Sequence, residues 1–317
     1  MSAVVRCVAV MGATATGKSS LALALAPALR GEIISMDSRQ VYRGFDIGTA
    51  KPTAAERSRV PHHLIDTLDP GSASSAGRHA ADAGALARAI AARGGVPFLV
   101  GGTGLYFRAL FHGLGPVAIP RAEQERIRAG FGGRATGELH DELRVRDPER
   151  AAALSKNDRV RIVRALEIIA FTGRPASESL RRAAPAPDAP LCLKLVLTMP
   201  RADLRARIEA RTRALFAAGW PAEVARLLER GVRRDAPAMQ SLGYAELAAA
   251  IAAGEDPATR LDEVITQTRQ YAKRQETFFR SERDAVWIDV TRGDPERRAR
   301  DLVTAFLTAA GGSGGPQ

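Results

Sequence analysis

Gly12-Ala13-Thr14-Ala15-Thr16-Gly17-Lys18-Ser19 fills every fixed position of the phosphate-loop pattern G-x-x-x-x-G-K-[ST]. Its glycines let the backbone curl, so that successive N–H groups turn inward toward phosphate oxygens. The helix start that follows contributes the positive end of a dipole, Lys18 a mobile charge, and Ser19 a hydroxyl able to hold Mg2+. The flanks agree with the pattern: the apolar run Val4–Met11 precedes the loop, and the helix-forming run Ser19–Leu29 follows it. A chance match in a glycine-rich chain would not carry that strand and helix. The loop reads as a site for a di- or triphosphate and is silent about the chemistry done there.

Working outward, four further short runs read as buried strands: Glu32–Met36, Val96–Val100, Leu191–Thr198 and Ala285–Val290. Most are rich in Val, Ile and Leu without polar alternation, as expected of parallel strands covered on both faces. Helical periods occupy Ala80–Ala92, Arg201–Phe216, Pro221–Glu229 and Thr259–Arg283. Strands alternating with helices argue an α/β fold built on a mostly parallel sheet. Residues 119–190 break the rhythm. They show helical patterns and no convincing strand, with Leu139, Leu143, Leu154, Val160, Val163, Leu166 and Ile169–Ala170 as apolar positions, and end in the Pro/Ala-rich connector Ala183–Pro190. This divides the chain into a first core segment (1–118), a helical insertion (119–190), a second core segment with C-terminal helices (191–310), and a tail (311–317) whose GGSGGPQ has linker composition and is expected to be disordered.

The formal charge, 46 − 35 = +11, favours polyanionic partners, although an arginine-rich surface would give the same balance. Cys7 and Cys192 lie in apolar strand-like runs, where an unpaired cysteine acts as a small hydrophobe. Neither a disulfide framework nor a metal site is suggested. No apolar run approaches the roughly 20 residues of a membrane span, and the apolar start lacks a cleavage pattern. The expectation is a cytoplasmic enzyme with no membrane partner; nothing requires a dimer, so a monomer is expected.

Ligands of parallel sheets bind beyond the carboxyl ends of the strands. Asp37-Ser38 follows the second strand and Gly101-Gly102-Thr103-Gly104 the third, so Asp37 and Thr103 should face phosphates held by the loop. Asp37 could be a metal ligand, a general base or a turn cap; Thr103 could sit where backbone approaches a ligand, or in a simple turn. Many phosphate-loop NTPases end a strand with a metal-binding aspartate. Phe98-Leu99-Val100 runs into glycines instead, which weakens an ordinary ATPase reading. Arg211 falls on the apolar stripe of Leu204, Ile208 and Leu215, where a guanidinium needs an anion, a carboxylate partner or a route to solvent. On the last long helix, Arg269, Lys273 and Arg280 form a basic stripe near Tyr271, Phe278 and Phe279, suited either to solvent or to RNA.

These residues resemble the tRNA dimethylallyltransferase (tRNA isopentenyl transferase) family over nearly the whole chain. The motifs occur in order: GATATGKSSLA (12–22), IISMDSRQVYRGFDIGTAKPT (33–53), PHHLIDTLDP (61–70), VPFLVGGTGLYFRALFHGL (96–114), NDRVRIVRALEI (157–168), MQSLGYAEL (239–247) and TRQYAKRQETFFR (268–280). The second is the most specific, because generic phosphate-loop proteins lack it. The resemblance implies a nucleotide-kinase-like core, with a helical insertion that grips the anticodon arm of tRNA. It implies transfer of a dimethylallyl group from dimethylallyl diphosphate to N6 of the adenosine 3′ to the anticodon (position 37), in tRNAs reading codons that begin with U. Donor and acceptor are expected to enter a central channel from opposite ends, the adenosine flipped out of its stack. By resemblance Asp37 takes the N6 proton, Thr103 hydrogen-bonds the bridging oxygen of the leaving diphosphate, and Arg211 stabilises the same charge. Gly12 and Thr14 to Ser19 would hold the diphosphate, with Ser19 on Mg2+. The tRNA-contacting positions would be Asp37, Ser38, Arg39, Gln40, Val160, Arg161, Arg164, Gln240, Gly243, Tyr244, Lys273, Arg274 and Arg280.

The chain departs from the family pattern at Ala13, Ala245, Glu276, Phe278 and His79, and of these Ala245 and Glu276 bear on RNA contacts. The main rival is a phosphate-loop kinase of a nucleotide or small metabolite, in which the loop could bind ATP; it explains neither the insertion nor residues 37–53. Prenylation of free adenine nucleotides would use the same chemistry without needing the insertion. An RNA-binding module without catalysis would release no diphosphate.

Overall fold

A computed structural model of the protein describes residues 5–114, 117, 119–179 and 189–309. Val4, most of the connector (183–188) and the tail (311–317) lie outside the described residues. Among the described residues there are six strands: β1 (Arg6–Gly12), β2 (Glu32–Ser35), β3 (His62–His63), β4 (Pro97–Gly101), β5 (Leu191–Thr198) and β6 (Ala285–Asp289). They form one sheet in the order β3-β2-β4-β1-β5-β6, every pair parallel. β1 lies between β4 and β5, with Val10 opposite Val100 on one side and Leu195 on the other. Cys7 to Met11 are fully buried, as a strand covered on both faces requires.

The five expected strands occur within one or two residues of their expected ends. β3 was not expected: two histidines give no apolar period, and the strand exists through pairing with β2 and a 2.7 Å contact of His63 Nε2 with Glu32. The expected helix Ser19–Leu29 stops at Leu25, because Pro27 has no N–H to continue it and opens a 3-10 turn, Pro27–Leu29. Thr259–Arg283 likewise resolves into a 3-10 turn, Pro257–Arg260, and a helix, Leu261–Phe279. Helices Gly104–His112, Tyr244–Ala252 and Pro295–Thr308 are additions to the sequence reading. The last covers the sheet with Ala299 and Val303. Cys7 and Cys192, read as isolated hydrophobes, are register partners on β1 and β5, and burial, helped by Cys192, pushes the Cys7 thiol pKa up. Among the described residues no helix is long and apolar enough to cross a membrane.

The chain forms two compact units, one of Met1–Leu110 with Asp188–Gln317, the other Phe111–Pro187. The second unit begins eight residues before the expected start of the insertion at Ile119. It has its own core of Ile127, Leu139, Leu143, Leu154, Ile162 and Leu166. Val160 and Ala170 do not join that core: the helix Arg159–Thr172 turns Ile162, Ala165, Leu166 and Ile169 inward and leaves Val160 82% exposed. On the same inner face Glu167 is fully buried, and receives Gln124 Nε2 at 2.7 Å, Arg164 Nη1 at 3.1 Å, and Arg128. Desolvation raises its carboxyl pKa, but those three donors more than offset it and hold the group below the ordinary carboxylate range.

Glu167→Ala strips these donors of their acceptor. Removing one partner of a fully buried pair costs about 3–5 kcal/mol; here ~2 kcal/mol is expected, because Arg128 and Arg164 can turn to water. Both tryptophans, Trp220 and Trp287, belong to the first unit. Hydrogen exchange within Arg159–Thr172 should therefore accelerate while the tryptophan-detected urea transition stays in place. Unchanged exchange there would remove Glu167 as the anchor.

Candidate active site

β1 delivers the chain into the phosphate loop at Gly12, where φ is +141° and an added Cβ would lie 2.6 Å from Leu197 O, so only glycine fits. Ala15 (φ 65°) and Gly17 (φ 90°) are left-handed, and Gly17 precedes the helix Lys18–Leu25. Left-handed residues alternating with others turn neighbouring N–H groups toward one concavity, the geometry of an anion nest. The buried Thr16 hydroxyl donates to Ala13 O at 2.9 Å, and Lys18 Nζ donates to the same carbonyl at 2.6 Å. Desolvation, reinforced by the charge of Arg211 and opposed by Asp37, lowers the Lys18 pKa to about 7. Near neutral pH an anion arriving in the loop therefore meets an amine that is partly uncharged.

One helix and two loops meet this one. Arg211, on the helix Arg201–Ala217, donates to Thr14 Oγ1 at 3.1 Å and forms no salt bridge with any described residue. Of the three arrangements the sequence left open, the structure shows no carboxylate partner among the described residues and turns the guanidinium toward the phosphate loop. Burial lowers its pKa, and Asp37 opposes the shift. Asp37 leaves β2 after Met36, whose N–H donates to Val100 O at 2.7 Å, and its Oδ1 accepts Arg39 N at 2.8 Å. It thus caps its own turn with one oxygen. The Asp37 charge acts on Lys18, Arg211, His79, Tyr106 and Tyr271 alike, so it is the electrostatic centre of the cluster. Thr103 closes the set: its N–H donates to Met36 O at 3.1 Å, and its Oγ1 accepts Ser38 N at 3.0 Å.

The sequence left Thr103 and its glycines either where backbone approaches a ligand or in a simple turn. In the structure the glycines have close protein neighbours. A Cβ at Gly101 would lie 2.2 Å from Met36 O, one at Gly102 2.2 Å from Gln275 Nε2, and one at Gly104 2.2 Å from the Phe278 ring. Three further residues belong to this region: Gln275 and Glu223, which the sequence did not single out, and Tyr271, named there only for its place beside a basic stripe. Gln275 is buried, and Tyr271, one turn earlier, has its phenol raised to about 12, chiefly by burial and by the Asp37 charge. Glu223 is the third. Its buried carboxylate accepts Asp46 N at 3.0 Å, Ile47 N at 2.7 Å and the Tyr244 hydroxyl at 2.5 Å, so it fixes the segment that follows Asp37. Of the two not singled out, only Glu223 had a sequence signal, a glutamate on the buried face of an otherwise apolar helix.

The structure separates the remaining sequence candidates. Gln40 holds its own loop through Ser35 (3.0 Å) and Ala50 O (3.2 Å), and Arg39 reaches Pro237 O at 3.4 Å. Gln240 is exposed; Gly243 (φ 85°) is required because a Cβ there would lie 2.1 Å from Trp220. Tyr244 is fully buried with its hydroxyl on Glu223, which leaves it no face for RNA. Lys273, Arg274 and Arg280 are exposed on the helix Leu261–Phe279 and its end. In the second unit Arg161 is exposed and pairs with Asp158, while Arg164 is engaged by Glu167 and Val117 O. Ser19 is exposed at the helix start. Among the described residues no group of three or more His, Cys, Asp or Glu could hold a metal ion. One hydroxyl beside a phosphate nest suits a Mg2+ ion that keeps its waters and takes further ligands from a bound diphosphate.

A family model described as IPP transferase matches residues 40–282, and one described as isopentenyl transferase matches residues 5–69. The tRNA dimethylallyltransferase of Halorhodospira halophila is 46% identical over 316 residues, covering 98% of this chain and 99% of that protein. The crystal structure of a full-length tRNA isopentenylpyrophosphate transferase from Bacillus halodurans aligns with a TM-score of 0.70 at 36% identity, covering 96% of this chain and 97% of that one. A eukaryotic dimethylallyltransferase structure, at 24% identity and a TM-score of 0.80, shares the fold over 96% of this chain and 80% of its own.

The lowered Lys18 pKa makes anion binding proton-linked. Above pH 7 the free amine is mostly neutral, and a diphosphate in the loop restores its charge. With Mg2+ and inorganic diphosphate at pH 8, the protein should take up roughly one proton more per site than Lys18→Arg, whose guanidinium stays charged. The difference should vanish near pH 6. Calorimetry in buffers of different ionisation enthalpy measures it, and equal uptake at pH 8 would place the Lys18 pKa near its ordinary value.

Proposed function

The chain belongs to the IPP transferase family, and on that premise we propose that it moves a dimethylallyl group from dimethylallyl diphosphate to N6 of adenosine 37 in tRNAs that read codons beginning with U. The observation that carries the reading is the meeting of the phosphate loop with Arg211, Thr103 and Asp37 at the carboxyl end of one parallel sheet. A nest of N–H groups with Lys18 and Arg211 is a site for a leaving diphosphate, and the carboxylate beside it is a site for the proton that the amine must lose.

The residues divide the work as follows. Gly12 and Thr14 to Ser19 bind the diphosphate, and Ser19 with the diphosphate would hold Mg2+, which supplies further positive charge against the leaving group. As the allylic C–O bond breaks, charge develops on the bridging oxygen, which Thr103 Oγ1 and Arg211 stabilise. The N6–C bond forms as Asp37 accepts the amine proton, leaving diphosphate and N6-(dimethylallyl)adenosine. Asp37 suits the role because its own turn engages Oδ1 alone, and it lies beside the loop that would hold the diphosphate. The adenosine has to leave its stack to present N6. The insertion is proposed to hold the anticodon arm, with Ser38 to Gln40, Gln240, Lys273, Arg274 and Arg280 contacting the RNA; Gly243, buried against Trp220, shapes that surface from below. A single copy supplies every residue named, so we propose a monomer acting in the cytoplasm with its tRNA. The relatives named above give a kinase no support, and the β4 end, Val100-Gly101-Gly102-Thr103, offers no carboxylate for a kinase metal.

The test supplies labelled dimethylallyl diphosphate and Mg2+ to the protein with an unmodified tRNA whose anticodon ends in A, and with AMP in parallel. Label should enter the tRNA alone. Asp37→Asn keeps the oxygen that caps Arg39 but removes the base, so kcat should fall about 10²–10⁴-fold with little change in tRNA affinity. Arg211→Ala should lower donor binding and rate together. Label in AMP would move the protein to nucleotide prenylation, and label in neither, with phosphoryl transfer from ATP, would revive the kinase.

A further inference from the structure

The buried face of the helix Leu261–Phe279 carries one polar side chain among Val264, Ile265, Ala272 and Phe279, that of Gln275, 6% exposed. Its carboxamide bonds in two directions: Oε1 accepts Thr14 N at 2.8 Å, and Nε2 donates to Gly102 O at 2.9 Å. The orientation is unambiguous, because a backbone N–H can only donate and a carbonyl can only accept. Both partners are main-chain groups of loops that have just left the sheet. The β1–β4 ladder ends at Met11 opposite Gly101, and beyond it each loop is rich in glycine and has little stiffness of its own. Gly102 has no side chain where the Gln275 amide sits, since a Cβ would come within 2.2 Å of it.

Each loop passes the constraint on. Thr14 presents its hydroxyl to Arg211 at 3.1 Å, and Thr103, next to Gly102, receives the amide of Ser38, next to Asp37. We infer that Gln275 is a positioning residue, the cross-link that fixes the spacing between the phosphate loop and Thr103 so that Arg211 and the Thr103 hydroxyl act on the same leaving diphosphate. The inference rests on the prenyl-transfer reading above and adds a residue that touches neither substrate. Its effect belongs to diphosphate departure and not to RNA binding.

Two variants separate this role from packing. Gln275→Met fills similar volume and loses both hydrogen bonds; kcat should fall about 10–100-fold, as expected for misplaced reacting groups, while KM for tRNA stays within about twofold. Gln275→Glu keeps the acceptor for Thr14 N but, when ionised, sets a carboxylate oxygen against Gly102 O. Burial raises the pKa of such a carboxyl, and its protonated form can donate to Gly102 O again. The ratio of its kcat to that of the parent should therefore rise as pH is lowered from 8 to 6, whereas the Met ratio stays flat. Thermal midpoints and single-turnover rates at saturating donor are measured alongside. Unchanged kcat in Gln275→Met overturns the inference, as does a pH-independent ratio for Gln275→Glu, or a loss shared equally by tRNA KM and the thermal midpoint. A parent chain that transfers no label overturns the function itself, and this inference with it.

Discussion

Parallel pairing of β1 with β4 on one side and β5 on the other brings three chain segments out of the sheet at one height, with Met11 opposite Gly101 and Gly12 opposite Leu197. Because parallel ladders fix register residue by residue, the phosphate loop and the Thr103 loop begin side by side. The close approach of Gly12 to Leu197 O depends on the β1–β5 register, and that of Gly101 to Met36 O on the pairing of β2 with β4; a side chain at either position would force the strands apart.

The cluster that forms there is electrostatically unfinished. Lys18 and Arg211 face a nest of N–H groups, both with pKa values lowered chiefly by desolvation, and Asp37 is the carboxylate whose charge reaches both. Burying cations without full pairing is costly, so such an arrangement is stable only if the fold fixes it from outside. The fixing groups are neutral or peripheral. Gln275 joins the two loops, and Thr103 ties Ser38 to β4. Glu223 gathers Asp46 N, Ile47 N and Tyr244 into one buried carboxylate. The site is ready for an anion because its supporting bonds are satisfied without one.

The same reasoning explains why the motif 37–53 and the motif 239–247 occur in one chain. Residues 46–48 dock on Glu223 and Trp220, and Gly48 and Gly243 each lie against the Trp220 ring so closely that a Cβ would fall about 2.1 Å from it. Lys51 is buried among Tyr42 O, Asp46 and Asp66, and closes the loop from the other side. The tyrosine of the second motif serves as core here, its hydroxyl on Glu223.

Local patterns determined the phosphate loop, five of the six strands and the presence of a separate helical segment. Each depends on a contiguous run: glycines that permit left-handed backbone, apolar strings covered on both faces, a 3.6-residue period. Asp37 and Thr103 were legible for a related reason, as residues that follow strands of a parallel sheet. The tertiary structure decided what depends on partners far apart in the chain. Arg211 meets Thr14 across 197 residues and Gln275 meets it across 261, so no window of sequence could choose between a solvent-facing and a loop-facing arginine, or mark one glutamine among several. It also buried Tyr244, turned Val160 outward, and set Cys7 opposite Cys192. Backbone stereochemistry and hydrophobic periodicity act over a few neighbouring residues and can be read in order along the chain, whereas the pairing of buried polar groups is settled only when the sheet brings distant loops together.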